Sequence, residues 1–106
     1  MTAKVQAIIA ELRRRFEALY GARLVRMVLY GSQARGDAEP GSDIDVLVVL
    51  QGPLSPCDEI ARTIEDVADV SLQNNEVVCC VFVSEDQFQH ERSPLLLNVR
   101  REGVAI

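Results

Sequence analysis

Residues 31–45 read GSQARGDAEPGSDID and lie between two apolar runs, LVRMVLY at 24–30 and IDVLVVL at 44–50. The stretch is rich in glycine and polar residues, which marks a loop. Its far end carries Asp43 and Asp45, at the mouth of a segment that is apolar on both faces after Asp45. Such a segment reads as a central strand covered on both sides. Two carboxylates two residues apart on a strand point to one side. Unpaired, they repel each other and are costly beside an apolar core. A divalent cation removes that penalty. Mg²⁺ takes oxygen ligands, accepts one or two carboxylates and leaves the rest to water and substrate phosphates. Two such ions roughly 4 Å apart clamp the attacking and leaving oxygens of a phosphoryl or nucleotidyl transfer.

The near end of the same loop has complementary chemistry. Gly31 directly follows the first run, where a glycine permits a tight turn and close approach of the backbone to a ligand. Ser32, Gln33 and Ala34 read as the start of a short helix, whose free N–H groups, with the serine hydroxyl, suit an anionic phosphate. Ten residues separate Ser32 from Asp43, enough for the loop to fold back on itself. Arg35 is open to two roles, contact with a phosphate or pairing with Asp37. A third carboxylate would complete a metal site or take a proton from an acceptor hydroxyl. Glu76, at the head of the next apolar run, is the candidate. Asp69 is the runner-up, and reads more simply as a surface charge on a helix. Either half of the loop alone is ordinary turn chemistry; the two together, after one strand and opening another, are specific.

Working outward, residues 3–20 show apolar positions at three- and four-residue steps and read as an amphipathic helix, capped by Thr2 and ended by Gly21. Its triplet Arg13-Arg14-Arg15 fans around the axis and reads as solvated surface. Ser55-Pro56-Cys57-Asp58 is a helix-start signal, and the helix from about Cys57 to about Leu72 is expected to bury Ile60, Ile64, Val67 and Ala68. Residues 76–83 read as a third strand. Ser84 caps a short helix, and Ser93-Pro94 starts another that stops near Gly103. Leu95, Leu96, Leu97 and Val99 then cover the core or face a partner. Tyr30 is expected to pack beneath the loop, and His90 to be exposed. The order helix, strand, loop, strand, helix, strand, helix, helix defines a small α/β domain with a sheet of at least three strands flanked by helices.

Composition sets the outer limits. A chain of 106 residues fits one domain, residues 1–106, and a domain this small often completes its burial by association, with itself or a partner. No apolar run approaches a membrane span, and the N-terminus lacks a signal-peptide pattern. The expectation is therefore a cytoplasmic protein away from membranes. Net charge is −5, which argues against a basic grip on nucleic acid while leaving a single nucleotide possible as ligand. The three cysteines, Cys57, Cys79 and Cys80, form an odd set and read as reduced thiols. Cys79 and Cys80 should point to opposite faces of a strand, and a structural role is favoured for both.

Gly31-Ser32, ten residues, then Asp43-Ile44-Asp45 resembles the signature of the nucleotidyltransferase superfamily that includes DNA polymerase β. The surrounding YGSQARGDAEPGSDIDVLVVL is similar to the minimal nucleotidyltransferase branch. The resemblance is best over residues 24–83. It implies a mixed sheet flanked by helices, and transfer of a nucleoside monophosphate from an NTP, ATP above all, to a hydroxyl. By position it gives Gly31 and Ser32 the phosphates and Asp43 and Asp45 the metals. Its third acid, most often an aspartate on the next core strand, falls here on Glu76. Many members of the branch are antitoxins paired with a HEPN-domain toxin, whose tyrosine accepts AMP. The expected function is thus an Mg²⁺-dependent nucleotidyltransferase acting on a HEPN-like protein partner. The alternatives are a module that neutralises such a partner by contact, and a nucleotide sensor.

Overall fold

The computed structural model describes residues 1–106. The helix α1 spans Ala3–Tyr20 and β1 spans Leu24–Tyr30, joined by a single 3₁₀ turn. A four-residue helix, α2 (Ser32–Arg35), opens the loop that leads to β2 (Ile44–Leu50). Then come α3 (Pro56–Asn74), β3 (Val78–Ser84), α4 (Glu85–His90), α5 (Pro94–Glu102) and β4 (Val104–Ala105). The four strands form one mixed sheet in the order β3-β2-β1-β4. β1 runs antiparallel to β2 and β4, and β2 runs parallel to β3. The crossover helix α3 makes the parallel pairing possible.

Strict alternation along the strands sorts the side chains into two cores. On one face Met27, Leu29, Ile44, Val46, Val48, Leu50, Val78 and Phe82 meet α1, whose Val5, Ile8, Ile9, Leu12, Phe16 and Tyr20 are buried. On the other face Val28, Leu47, Val49 and Val83 meet Leu96 and Val99 of α5. The central strand β2 is buried along its length except at Asp45, which agrees with its two-sided apolar pattern. Thr2 caps α1 through its hydroxyl, Ser84 and Gln87 make a capping box on α4, and Ser93 caps α5. Leu97 stays exposed, so α5 covers the core with one stripe only.

The apolar face expected for α3 is not the face it buries. Glu59, Thr63 and Val70 are buried, whereas Ile60, Ile64 and Ala68 are exposed and Val67 is half-buried. The reason is a polar stripe with its own partners. Glu59 accepts from the Tyr20 hydroxyl (2.8 Å), Arg23 Nη2 (3.2 Å) and Arg62 Nε (3.2 Å). The Thr63 hydroxyl donates to the Glu59 carbonyl, and Asp66 and Asp69 both accept from Arg15 on α1. Burial raises the Glu59 carboxyl's pKa, but the hydrogen bonds from Tyr20 and Arg23 more than offset it and leave the group below its usual range. Hydrogen-bonded charges thus turn α3 about its axis. Its isoleucines are left over an open groove of about 280 Å³ with Val67, Cys79, Cys80 and Phe82. Arg15, expected as solvated surface, is therefore a helix–helix tie.

Two further differences concern the strands. The third strand begins at Val78 rather than at residue 76. Asn75 closes α3 in the left-handed region (φ 51°), and the Glu76 N–H donates back to the Ser71 carbonyl. Glu76 belongs to the helix terminus. The two-residue β4, too short to leave a periodic signal, pairs with Val28 and Leu29 of β1. No helix is long and apolar enough to cross a membrane.

Candidate active site

The loop of residues 31–43 brings its two ends together. Gly31 leaves β1 with φ 75°, a left-handed conformation that favours glycine. Its α-carbon lies against the Asp45 carboxylate: a Cβ at this position would stand 2.5 Å from Asp45 Oδ2. The sequence suggested glycine for a turn, and here the turn and the close approach are one requirement. The Gly31 carbonyl accepts from Ala34 and Arg35, and the Ser32 carbonyl from Gly36 and Asp37. The N–H groups of Ser32 and Gln33 are left outside the turn's own hydrogen bonds, pointing from the N-terminus of α2.

Asp45 follows Ile44 into β2, and the register places Tyr30, Asp45 and Cys79 in one row across three strands. The three side chains share the α5 face of the sheet. Asp43 precedes the strand with the same parity, and Cys79 Sγ lies 3.7 Å from Asp43 Oδ2 as its donor. The Asp45 carboxyl is raised above its usual range, first by burial and then by the Asp43 charge, with Arg35 opposing. Burial, and then the same Asp45 charge, pushes the Tyr30 hydroxyl up to about 12. Tyr30 is half-buried and packs against the α5-side core. The row is a place where negative charge is crowded and partly desolvated, and where a cation would be favoured.

The expected third acid is not brought to this row. Glu76 instead pairs with Lys4 Nζ on α1 at 3.1 Å, and it lines a cavity with Thr2 and the loop residues Gln33 and Ser42. No group of three His, Cys, Asp or Glu side chains is arranged to hold a metal ion. Asp69 is taken by Arg15 at 2.6 Å. Arg35 pairs with Asp37 and with Glu102 of α5, both at 3.1 Å, which ties the loop to the last helix. His90 is exposed beside Asp86. The residue that sequence reasoning passed over is Cys79. Its parity is that of Val81 and Val83, and in the folded strand Val78–Ser84 it is the first residue on the Asp45 face. Cys80 faces the opposite core, where burial pushes its thiol up to about 12.

Two carboxylates, one of them resisting ionisation, fit a hard divalent cation that keeps water or phosphate in its other positions. Gly31 at van der Waals range of Asp45 puts the glycine–serine end of the loop against the carboxylate end.

The fold and this loop define a nucleotidyltransferase domain, and residues 9–94 match the family model described as a nucleotidyltransferase domain. The chain belongs to that family. A curated relative from Methanocaldococcus jannaschii, named as a candidate protein adenylyltransferase, is 39% identical over 44 residues, 42% of this chain. The aligned stretch spans 44% of that relative's length. Among solved structures, a toxin–antitoxin crystallised with AMP-PNP superposes with a TM-score of 0.61 and 24% identity, covering 95% of this chain and 70% of that one. A Sulfolobus solfataricus nucleotidyltransferase candidate gives 0.57 at 19% identity, over 99% and 86% of the two chains. A minimal nucleotidyltransferase gives 0.55 at 28% identity, over 98% and 90%. The mixed four-stranded sheet flanked by helices is the fold of these neighbours.

Proposed function

We propose that the chain transfers a nucleoside monophosphate, AMP from ATP, to a hydroxyl on a protein partner. The observation that carries the reading is the contact between Gly31 and Asp45, which makes one site of the loop's phosphate end and its carboxylate end. Family membership supports nucleotide transfer in general. The choice of ATP draws support from the neighbour crystallised with AMP-PNP and from the adenylyltransferase name of the relative. A protein acceptor, of the HEPN type that the sequence resemblance implies, draws support from the toxin–antitoxin nature of that neighbour.

In this reading Ser32, through its hydroxyl and N–H, and the N–H of Gln33 hold the triphosphate. Gly31 keeps that end of the loop free of a side chain so that the phosphates approach Asp45. Asp43 and Asp45 hold Mg²⁺, which when bound neutralises the phosphates. Arg35 stays with Asp37 and Glu102 and holds the loop closed on α5. The transfer forms a bond between the acceptor oxygen and the α-phosphorus. It breaks the bond from that phosphorus to the β-phosphate oxygen, so pyrophosphate leaves and the hydroxyl proton passes to water. Tyr30, kept protonated by burial and by Asp45, supports the row from below and takes no part in proton transfer.

A second reading is favoured by one specific observation, the absence of a third acid beside the pair. In it the domain neutralises its partner by contact. Co-expression with the partner and intact-mass measurement separate the two. An added AMP mass that is absent with Asp43→Asn/Asp45→Asn supports transfer. Neutralisation that the double variant leaves intact, with no added mass on the wild-type partner, contradicts it.

A further inference from the structure

The row Tyr30, Asp45, Cys79 puts a thiol on the face where a third carboxylate would stand. Cys79 Sγ lies 3.7 Å from Asp43 Oδ2, so this thiol stands beside the pair. The acid expected there, Glu76, is paired with Lys4. No third His, Cys, Asp or Glu side chain completes a metal-holding group with the pair. The protein therefore offers the two carboxylates of Asp43 and Asp45 to whatever cations bind here. Two divalent ions about 4 Å apart repel each other four times as strongly as two unit charges. Holding both requires a dense set of hard oxygen ligands, and a thiol is a soft ligand poorly suited to Mg²⁺.

We infer that the site takes one divalent ion with the nucleoside triphosphate, not two, and that Cys79 is the residue that limits it to one. The inference rests on the reading of Asp43 and Asp45 as the metal–nucleotide pair. It changes the two-ion expectation into a defined departure. The chain binds a metal–triphosphate with full ligation, and transfers slowly because the acceptor oxygen has no ion of its own. Glu76 has no part in either step.

The test is equilibrium dialysis of the full chain against Mn²⁺ and AMP-PNP, counting Mn²⁺ retained per retained nucleotide. The expected ratio is one for the wild type and for Cys79→Ser, and two for Cys79→Asp. A wild-type ratio of two overturns the inference, as does Cys79→Asp that retains nucleotide at a ratio of one. Should Cys79→Asp fail to fold, the wild-type titration decides alone: one saturating Mn²⁺ step supports the inference and a second step overturns it. A wild type that retains no nucleotide with Mn²⁺ overturns the pair's assignment itself, and is told apart from the ratio of two by the empty nucleotide count.

Discussion

Asp45 and Gly31 are packed so closely that a single methyl group on Gly31 would stand 2.5 Å from the Asp45 carboxylate. The contact joins the end of β1 to the start of β2, and in the proposed function it is where the triphosphate meets the cation.

Gly31→Ala tests this contact. The new side chain meets both a φ of 75° and the Asp45 carboxylate. Left-handed backbone costs a non-glycine residue about 1–2 kcal/mol, and the displaced carboxylate adds to that. Chemical denaturation should show a loss of about 2 kcal/mol, and the affinity for Mg²⁺–ATP should fall by more than about tenfold.

Asp45→Asn separates stability from function. The Asp45 carboxyl is raised in the folded chain by burial and by Asp43. A raised carboxyl favours folding while protonated, and that contribution is lost as pH rises from the unfolded value of 3.8 through the folded one. At neutral pH without metal, the ionised group is therefore a burden. Asp45→Asn should raise the metal-free protein's stability by about 1 kcal/mol and remove the stabilisation that Mg²⁺ with ATP confers on the wild type. Thermal melts with and without ligand read both.

Glu59 works with the opposite sign. Its carboxyl is depressed below its ordinary 4.5 by Tyr20 and Arg23 despite burial. Its contribution is present above that unfolded value and is lost as pH falls through the lower folded one. Glu59→Gln should flatten the stability profile on the acid side of about pH 4.5, and cost about 2 kcal/mol at pH 7, a charged hydrogen-bond contribution. Stability measured across pH 3–7 checks it.

Ile64→Ser addresses the rotated face of α3. Ile64 is 56% exposed. The substitution should change stability by less than about 1 kcal/mol, where a buried isoleucine would cost several times more.

The contrast between Ile64 and Glu59 marks where the sequence was legible. β1 and β2 fall where their apolar runs predicted, because a strand buried on both faces has no competing way to satisfy its side chains. The Gly31–Ser32 turn and the Asp43–Asp45 pair could be located because their spacing is local. The buried face of α3 departs from its apolar pattern because charge pairing, not hydrophobicity, sets its rotation. Arg15, Arg23 and Tyr20 lie far from α3 in the chain, so their claim on Glu59, Asp66 and Asp69 is invisible until the fold is formed. Glu76 was misplaced for the same kind of reason. The left-handed Asn75 returns its N–H to α3, and Glu76, sharing the parity of Val78 and Cys80, falls opposite the face on which Cys79 joins Asp45.

Calorimetric titration of ATP into the full chain with and without Mg²⁺ reads whether residues 31–45 form one site for a metal-bound triphosphate. The expected result is binding that requires Mg²⁺ and is lost in Asp43→Asn/Asp45→Asn with the fold retained by circular dichroism. ATP binding that is equal without Mg²⁺, or unchanged in the double variant, would contradict it.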